Sequence, residues 1–319
     1  MERRLIAAAA QMGPVPLADS RESTVNRLIG MLESSAADGA ELVVFTEVAL
    51  TAFFPHWFIE DPEELRAYYE TDMPNPTVAP LFERAHELGV AFVLGYAERD
   101  PDDRLFNTAV FVDESSHVAL KYRKVHLPGF KYVRPGASYQ NLEKRYFEVG
   151  DLGFGVTPWR DSVLGLGICN DRRWAEPYRV LALQGAEIMC LGYNTPDTLP
   201  QLPEGDALID FHNHLSMQAG AYQNAMWVIG AAKAGVEEGV SQIGGSCIIS
   251  PAGEIVAQAS TLGDEVVLAE LDLDMVTRYR RDVFNFDHHR RPESYGRIVE
   301  GISEDRHQPD TFDAATSAR

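Results

Sequence analysis

Cysteine, positive charge and long apolar runs are all scarce in this chain, and each shortage excludes something. Of 319 residues three are cysteine: Cys169, Cys190 and Cys247. An odd number at wide spacing makes neither a disulfide framework nor a zinc pattern, and it fits a reducing compartment. Lys and Arg total 28 against 48 Asp and Glu, a formal net charge of −20. That charge repels phosphate backbones and anionic bilayers, which argues against nucleic-acid and membrane partners. No stretch of about 18 apolar residues is present, so nothing reads as a membrane span. Met1-Glu2-Arg3-Arg4 resembles the positive start of a signal peptide. The apolar stretch behind it, Leu5–Ala10, is only six residues long, short of the roughly 7–15 such a peptide needs, and Gln11-Met12-Gly13-Pro14 ends it. It reads as an opening core strand in a cytoplasmic protein. Internal repeats are also absent, as are a G-x-S-x-G elbow and the third glycine of a dinucleotide loop after Gly165-Leu-Gly167.

What remains is an ordinary globular composition, 45 % hydrophobic and 24 % charged, in a chain long enough to bury a core without staples. Short apolar runs read as strands at Leu5–Ala10, Leu42–Phe45, Val90–Leu94, Thr108–Val112, Ser116–Leu120, Val163–Ile168, Ile188–Leu191, Trp227–Ala231, Cys247–Ser250 and Glu254–Ala257. Many lack polar alternation, so both of their faces need covering layers. Ser20–Ser35, Val78–Leu88, Trp174–Gln184 and Asp206–Tyr222 read as amphipathic helices. Pro251-Ala-Gly253 reads as a hairpin turn. The pattern predicts an α/β sandwich of sheet and helix layers. From about Val299 onward the sequence becomes a polar, acidic tail.

Three places carry candidate chemistry. The strand Val163–Ile168 runs into Cys169-Asn-Asp-Arg-Arg-Trp174 and then a helix. A cysteine at such a junction is expected to feel the helix dipole, which favours thiolate; the alternative is a buried structural cysteine. Cys190 and Cys247 sit within apolar strands and read as structural. Glu47 ends the strand Leu42–Phe45 as a carboxylate in apolar surroundings, either a surface strand end or a general base. Lys121-Tyr-Arg-Lys124 inverts the local charge, and Val125, Leu127 and Pro128 behind it are poor surface residues. One of its cations can therefore point inward, where an ammonium suits a developing oxyanion.

Phe45-Thr-Glu47, Tyr122-Arg-Lys124-Val-His-Leu-Pro128 and Gly167-Ile-Cys169-Asn-Asp171 resemble, in order and spacing, the signature of the nitrilase (carbon–nitrogen hydrolase) superfamily. The segments Thr51–Pro55, Leu142–Glu148, Cys169–Trp174, Gly192–Pro196 and Ser216–Gly220 are similar to those of N-carbamoyl-D-amino acid amidohydrolases. The resemblance implies a four-layer α-β-β-α sandwich over residues 1–299, with 300–319 outside it. It implies Cys169 as nucleophile, Glu47 as base, Lys124 as oxyanion-stabilising cation and Glu143 as an additional buried carboxylate. Arg172 and Arg173 fall where the substrate carboxylate binds, Asn170, Asn194 and Thr195 line that pocket, and His126 and His212 stand around it. Two positions depart from the family pattern: Thr46 stands where the family mostly has proline, and Asn141 where the carbamoylases carry histidine. No cofactor is implied, the partner is a small-molecule substrate, and pairing into a homodimer or homotetramer is expected. Phe53, Phe54 and Trp57 either border the substrate or form plain core.

Within the superfamily the alternative is an amidase or β-ureidopropionase; outside it the first rival is a metal hydrolase, because His212-Asn-His214 is a His-x-His pair and Asp287-His-His289 lies downstream. On a helix, however, His214 falls about 200° from His212. Leu208, His212, Leu215, Ala219 and Tyr222 share one helical stripe instead.

Overall fold

The computed structural model describes residues 2–199 and 203–300; the tail expected over 300–319 lies outside them apart from its first residue. The opening apolar run forms β1 (Arg4–Gln11), followed by β2 (Leu42–Val44), β3 (Ala91–Arg99), β4 (Leu105–Val112) and β5 (Val118–Arg123). A second set comprises β6 (Val156–Trp159), β7 (Ser162–Ile168), β8 (Ile188–Tyr193) and β9 (Trp227–Ala232). After these come β10 (Ala234–Glu237), β11 (Val240–Ile243), β12 (Cys247–Ile249), β13 (Ile255–Gln258) and β14 (Glu265–Asp272). They build two six-stranded sheets, ordered β14-β1-β2-β3-β4-β5 and β13-β12-β9-β8-β7-β6, and a β10-β11 ribbon. In each sheet three central strands run parallel and the rims are antiparallel. Pro251-Ala-Gly253 joins β12 to β13 as the hairpin expected.

The helices are α1 (Arg21–Ala37), α2 (Pro62–Arg66), α3 (Ala79–Leu88), α4 (Glu143–Tyr146), α5 (Ala175–Leu183), α6 (Ile209–Asn224) and α7 (Leu273–Asp282), with short turns α8 (Phe286–His289) and α9 (Gly296–Val299) at the end of the described chain. Ser20 caps α1 by accepting from Ser23 N at 3.1 Å. Helices α1 and α3 cover the first sheet, α5 and α6 the second, and the sheets face each other, giving four α-β-β-α layers. The unalternated strands now have a reason. In β1, Leu5, Ala7 and Ala9 face the other sheet while Ala8 and Ala10 lie under α1; Val93 and Phe92 of β3 divide in the same way. Each side-chain set of period two meets a separate core. Among the described residues no helix is long and apolar enough to cross a membrane.

The end of β2 is pinched between two glycines. A Cβ on Gly192 of β8 would lie 2.3 Å from Glu47 N, and one on Gly95 of β3 would lie 2.6 Å from Thr46 O. No side chain fits at either place, so the sheets close on the segment Phe45-Thr-Glu47 from both sides. Gly30, in the interior of α1, has nothing within 4 Å of such an atom. Gly192→Ala is therefore expected to destabilise the fold by about 1–3 kcal/mol or more through overpacking. Gly30→Ala is expected to stabilise it by about 0.5–1 kcal/mol. Denaturant unfolding of the two variants checks the opposite signs.

Candidate active site

Glu47 follows β2, Lys124 follows β5, Cys169 follows β7 and Asn194 follows β8. All leave the carboxyl ends of strands, the edge at which open α/β sheets collect ligands. Glu143 opens the short helix α4. Lys124 and Glu47 have no exposed surface, and Glu143 almost none. Lys124 Nζ donates to Glu47 Oε1 at 2.7 Å and to Glu143 Oε2 at 2.5 Å. Glu47 also accepts from Asn107 Nδ2 at 2.7 Å and from the Asn194 backbone N–H at 2.9 Å. Burial works against the Lys124 ammonium, but Cys169 once ionised and the carboxylates of Glu143 and Glu47 outweigh it and hold the lysine above its usual range. Burial also pushes the Glu143 carboxyl up, to about 7; Lys124 opposes this and Glu47 adds to it.

Cys169 stands in the left-handed region, φ 45°, at the first residue of a five-residue 3-10 turn, Cys169–Arg173. Such backbone costs on the order of 1–3 kcal/mol and persists only when its surroundings enforce it. Asp171 does much of the enforcing. Its Oδ2 accepts from Ile168 N at 2.9 Å and from Tyr122 OH at 2.8 Å, and its Oδ1 accepts from His126 N at 3.1 Å. The cysteine turn is thus tied to the loop that carries Lys124. The sequence reading missed Asp171 and Asn107 as holders of the site. Their contacts are set by neighbouring strands, and Lys124 N donates to Asn107 O at 2.8 Å.

The expected helix-dipole stabilisation of a thiolate is corrected by this geometry. Helix α5 begins only at Ala175, beyond the 3-10 turn. Burial, and after it the charge of Glu47, push the Cys169 thiol up, against Lys124 and Arg172. The resting group is a thiol, and its Sγ donates to Asn194 O at 3.4 Å. A buried thiol of this kind needs a base before it can act as a nucleophile.

The two arginines separate. Arg172 is buried, and its guanidinium is committed to Cys169 O (2.7 Å), Asn213 Oδ1 (2.8 Å) and Thr195 Oγ1 (2.7 Å). Arg173 is exposed and has no hydrogen-bond or ion-pair partner among the described residues. Although the residue reaches solvent, its guanidinium is desolvated by its surroundings, which with the adjacent Arg172 charge lowers its pKa, so an anion beside it is favoured. Arg173 lines a narrow cavity with Cys169, Glu143, Asn170, Asn194 and Thr195, closed on its apolar side by Phe53, His56 and Tyr139.

Two expectations need revision, and one left open is divided. His126 is not in the cavity lining: it stacks on Trp174 at 5.3 Å, and its Nδ1 lies 2.8 Å from Asp171 Oδ1. His212 is exposed on α6, where the inward stripe is Ile209, Asn213, Met217 and Ala221; Asn213, one residue on, reaches Arg172. Of the aromatic trio, Phe53 borders the cavity, whereas Phe54 packs among Tyr68, Tyr69 and Phe147. His214 is buried with its Nε2 3.2 Å from Gly245 O, apart from exposed His212.

The carbon–nitrogen hydrolase family model matches residues 6–281. A nitrilase of Pyrococcus abyssi is 33 % identical over 292 residues, covering 91 % of this chain and 98 % of the relative. An N-carbamoylputrescine amidase of Arabidopsis thaliana is 30 % identical, over 83 % of this chain and 86 % of its own length. Among solved structures, a carbon–nitrogen hydrolase from Helicobacter pylori superposes with a TM-score of 0.80 at 25 % identity, covering 94 % of this chain and 99 % of that one.

The raised Glu143 carboxyl has a consequence for folding. From its ordinary value of 4.5 it rises to about 7, so between those values the native state holds a proton that the unfolded state has released. Stability from this site then falls as pH rises through that window. Glu143→Gln is expected to flatten the fall. Urea midpoints of both proteins at pH 5 and pH 7.5 check it, and an equal slope in the variant contradicts it.

Proposed function

The chain belongs to the carbon–nitrogen hydrolase family, and we propose that within it this protein hydrolyses N-carbamoyl-D-amino acids to D-amino acid, ammonia and carbon dioxide. Cys169 is the nucleophile in this reading. Glu47 takes the thiol proton, and Sγ attacks the carbonyl carbon of the ureido group. Lys124, pinned by Glu47 and Glu143, and a backbone N–H hold the oxygen as it gains charge. The departing amine collects the proton from Glu47 as its C–N bond breaks. A water then gives its proton to Glu47 and its oxygen to the acyl carbon; Glu47 returns the proton to Sγ as the C–S bond breaks, and the carbamic acid released falls apart to carbon dioxide and the remaining amine.

The observation that carries the substrate class is the division between the arginines. Arg172 is committed to the cysteine turn, while Arg173 offers an unpaired guanidinium to the cavity. A guanidinium accepts a carboxylate bidentately, so the carboxylate belongs on Arg173 and the ureido carbon on Cys169. With two substituents of the α-carbon fixed, one enantiomer alone directs its side chain into the remaining space. The D-hand is taken from the likeness of Cys169–Trp174 and its companion segments to the N-carbamoyl-D-amino acid amidohydrolases. The relative named for N-carbamoylputrescine supports the carbamoyl group as the part attacked. Its amine end has no carboxylate and gives Arg173 nothing to hold.

Assays of N-carbamoyl-D- and L-amino acids, the D-substrate's methyl ester and a plain aliphatic amide test the reading. The D-acid is expected to turn over fastest, and Cys169→Ala to abolish turnover with folding intact. Arg173→Ala is expected to weaken binding of the acid by about 1 kcal/mol, as for a solvent-reached ion pair, and to change little with the ester. Iodoacetamide is expected to inactivate where EDTA does not. Undiminished turnover of the ester, or faster turnover of the plain amide, contradicts the carboxylate.

Leu208 just before α6, Leu215 and Tyr222 on it, and Val180 and Leu183 of α5 are exposed and apolar. They support association of copies of this chain through the outer helical layer. Light scattering at micromolar concentration is expected to give a dimer or tetramer mass; a monomer contradicts it.

A further inference from the structure

His56 borders the cavity beside Cys169 but plays no part in the reaction outlined so far. It ends the 3-10 turn Phe54–His56 and is 1 % exposed. Backbone contacts fix its place. Its carbonyl accepts from Gln140 N at 2.8 Å, and Pro55 O accepts from Leu142 N at 2.6 Å. On the other side lies a second fully buried ion pair, Lys233 with Glu237 at 2.9 Å. Lys233 Nζ donates to Thr51 O at 2.8 Å, and Glu237 Oε1 accepts from Phe53 N at 2.6 Å. The segment 51–56 is therefore clamped from both flanks.

The ring itself has no such commitment. Neither ring nitrogen has a hydrogen-bond partner among the described residues, and Nδ1 is sealed from solvent. Phe53 and Tyr139 meet the ring edge to face at 4.8 and 5.2 Å. Burial, then the Lys233 charge, hold the imidazole down at about 3, so the ring is neutral with one N–H and one lone pair. A sealed N–H without an acceptor is rarer than a sealed acceptor, and a nearby ammonium favours a lone pair over a proton. Nδ1 thus carries the lone pair, and Nε2–H is the donor left to face the cavity.

At the reacting carbon the oxygen already has Lys124, so an additional donor is needed elsewhere. His56 packs against Tyr139, and both line the same narrow cavity as Arg173, so a ligand held there by the guanidinium also meets the imidazole. A carboxylate has two oxygens and about four lone-pair sites, enough for a guanidinium and a further donor together. We propose that His56 donates from Nε2 to the substrate carboxylate, forming with Arg173 a two-donor seat that selects carboxylate-bearing substrates. This rests on the carboxylate reading above. A neutral donor adds direction without bringing a second cation against Lys233.

The test compares wild type, His56→Leu and His56→Gln on an N-carbamoyl-D-amino acid and on propionamide. Glutamine is included because its amide can replace Nε2. His56→Leu is expected to lose about 10- to 100-fold in kcat/KM on the acid, mainly in KM, and little on propionamide. His56→Gln is expected to recover most of the loss. The double variant with Arg173→Ala is expected to lose less than the two single losses multiplied, as for groups sharing one partner. Melting temperature and the rate of Cys169 alkylation, followed by mass spectrometry, are expected to stay near wild type. His56→Leu unimpaired on the acid, or equally impaired on both substrates, overturns the seat while leaving the carboxylate reading standing. Wild type active only on propionamide, or on neither substrate, overturns that reading and the seat with it.

Discussion

The fold turns on one ammonium group with no solvent around it. Lys124 Nζ lies between the carboxylates of Glu47 and Glu143, and none of the three is open to water. Removing such charges from water costs several kcal/mol each, offset only if their geometry and remaining hydrogen bonds are good. That requirement reaches outward. Asn107 of β4 and the Asn194 amide after β8 must complete Glu47, so strands from both sheets have to meet at one depth. Gly95 and Gly192 let the backbones close to that depth. Loss of any one partner would leave a buried charge uncompensated.

The cysteine turn shows how a short polar run divides its tasks. A 3-10 turn has about three residues per turn, so positions i and i+3 lie on one side. Arg172 therefore returns beneath Cys169 and binds its carbonyl, while Arg173, a third of a turn on, points elsewhere and stays uncommitted. Asp171 ties the same turn to Tyr122 and His126. One residue spacing thus separates a side chain that holds the turn from one free to meet a ligand. The same economy holds at 51–56, where buried Lys233 and Glu237 fix backbone and leave the His56 ring unpaired.

Strands buried on both faces were legible because they cannot alternate, and β1, β3 and β7 are found where their apolar runs lie. Strands β6, β10, β11 and β14 were not. Pro158 interrupts β6, β10 and β11 make a short two-stranded ribbon, and β14 is half-buried, held by a partner some 260 residues away through the register Arg4↔Asp272. Helix α6 was legible as a helix but not in its facing. Its more apolar stripe is the exposed one, and polar Asn213 points inward because Arg172 and Tyr193 supply its hydrogen bonds.

The sequence by itself determined the layer architecture, the family and the short list of ionisable residues at strand ends, because apolar periodicity and motif spacing are local properties of the chain. Tertiary structure alone decided which arginine is free, that the thiol rests protonated, that His212 lies in solvent and that Asp171, Asn107 and His56 adjoin the site. Those are questions of desolvation and of partner geometry. Both depend on residues brought together from distant parts of the chain, and a linear spacing carries no record of them.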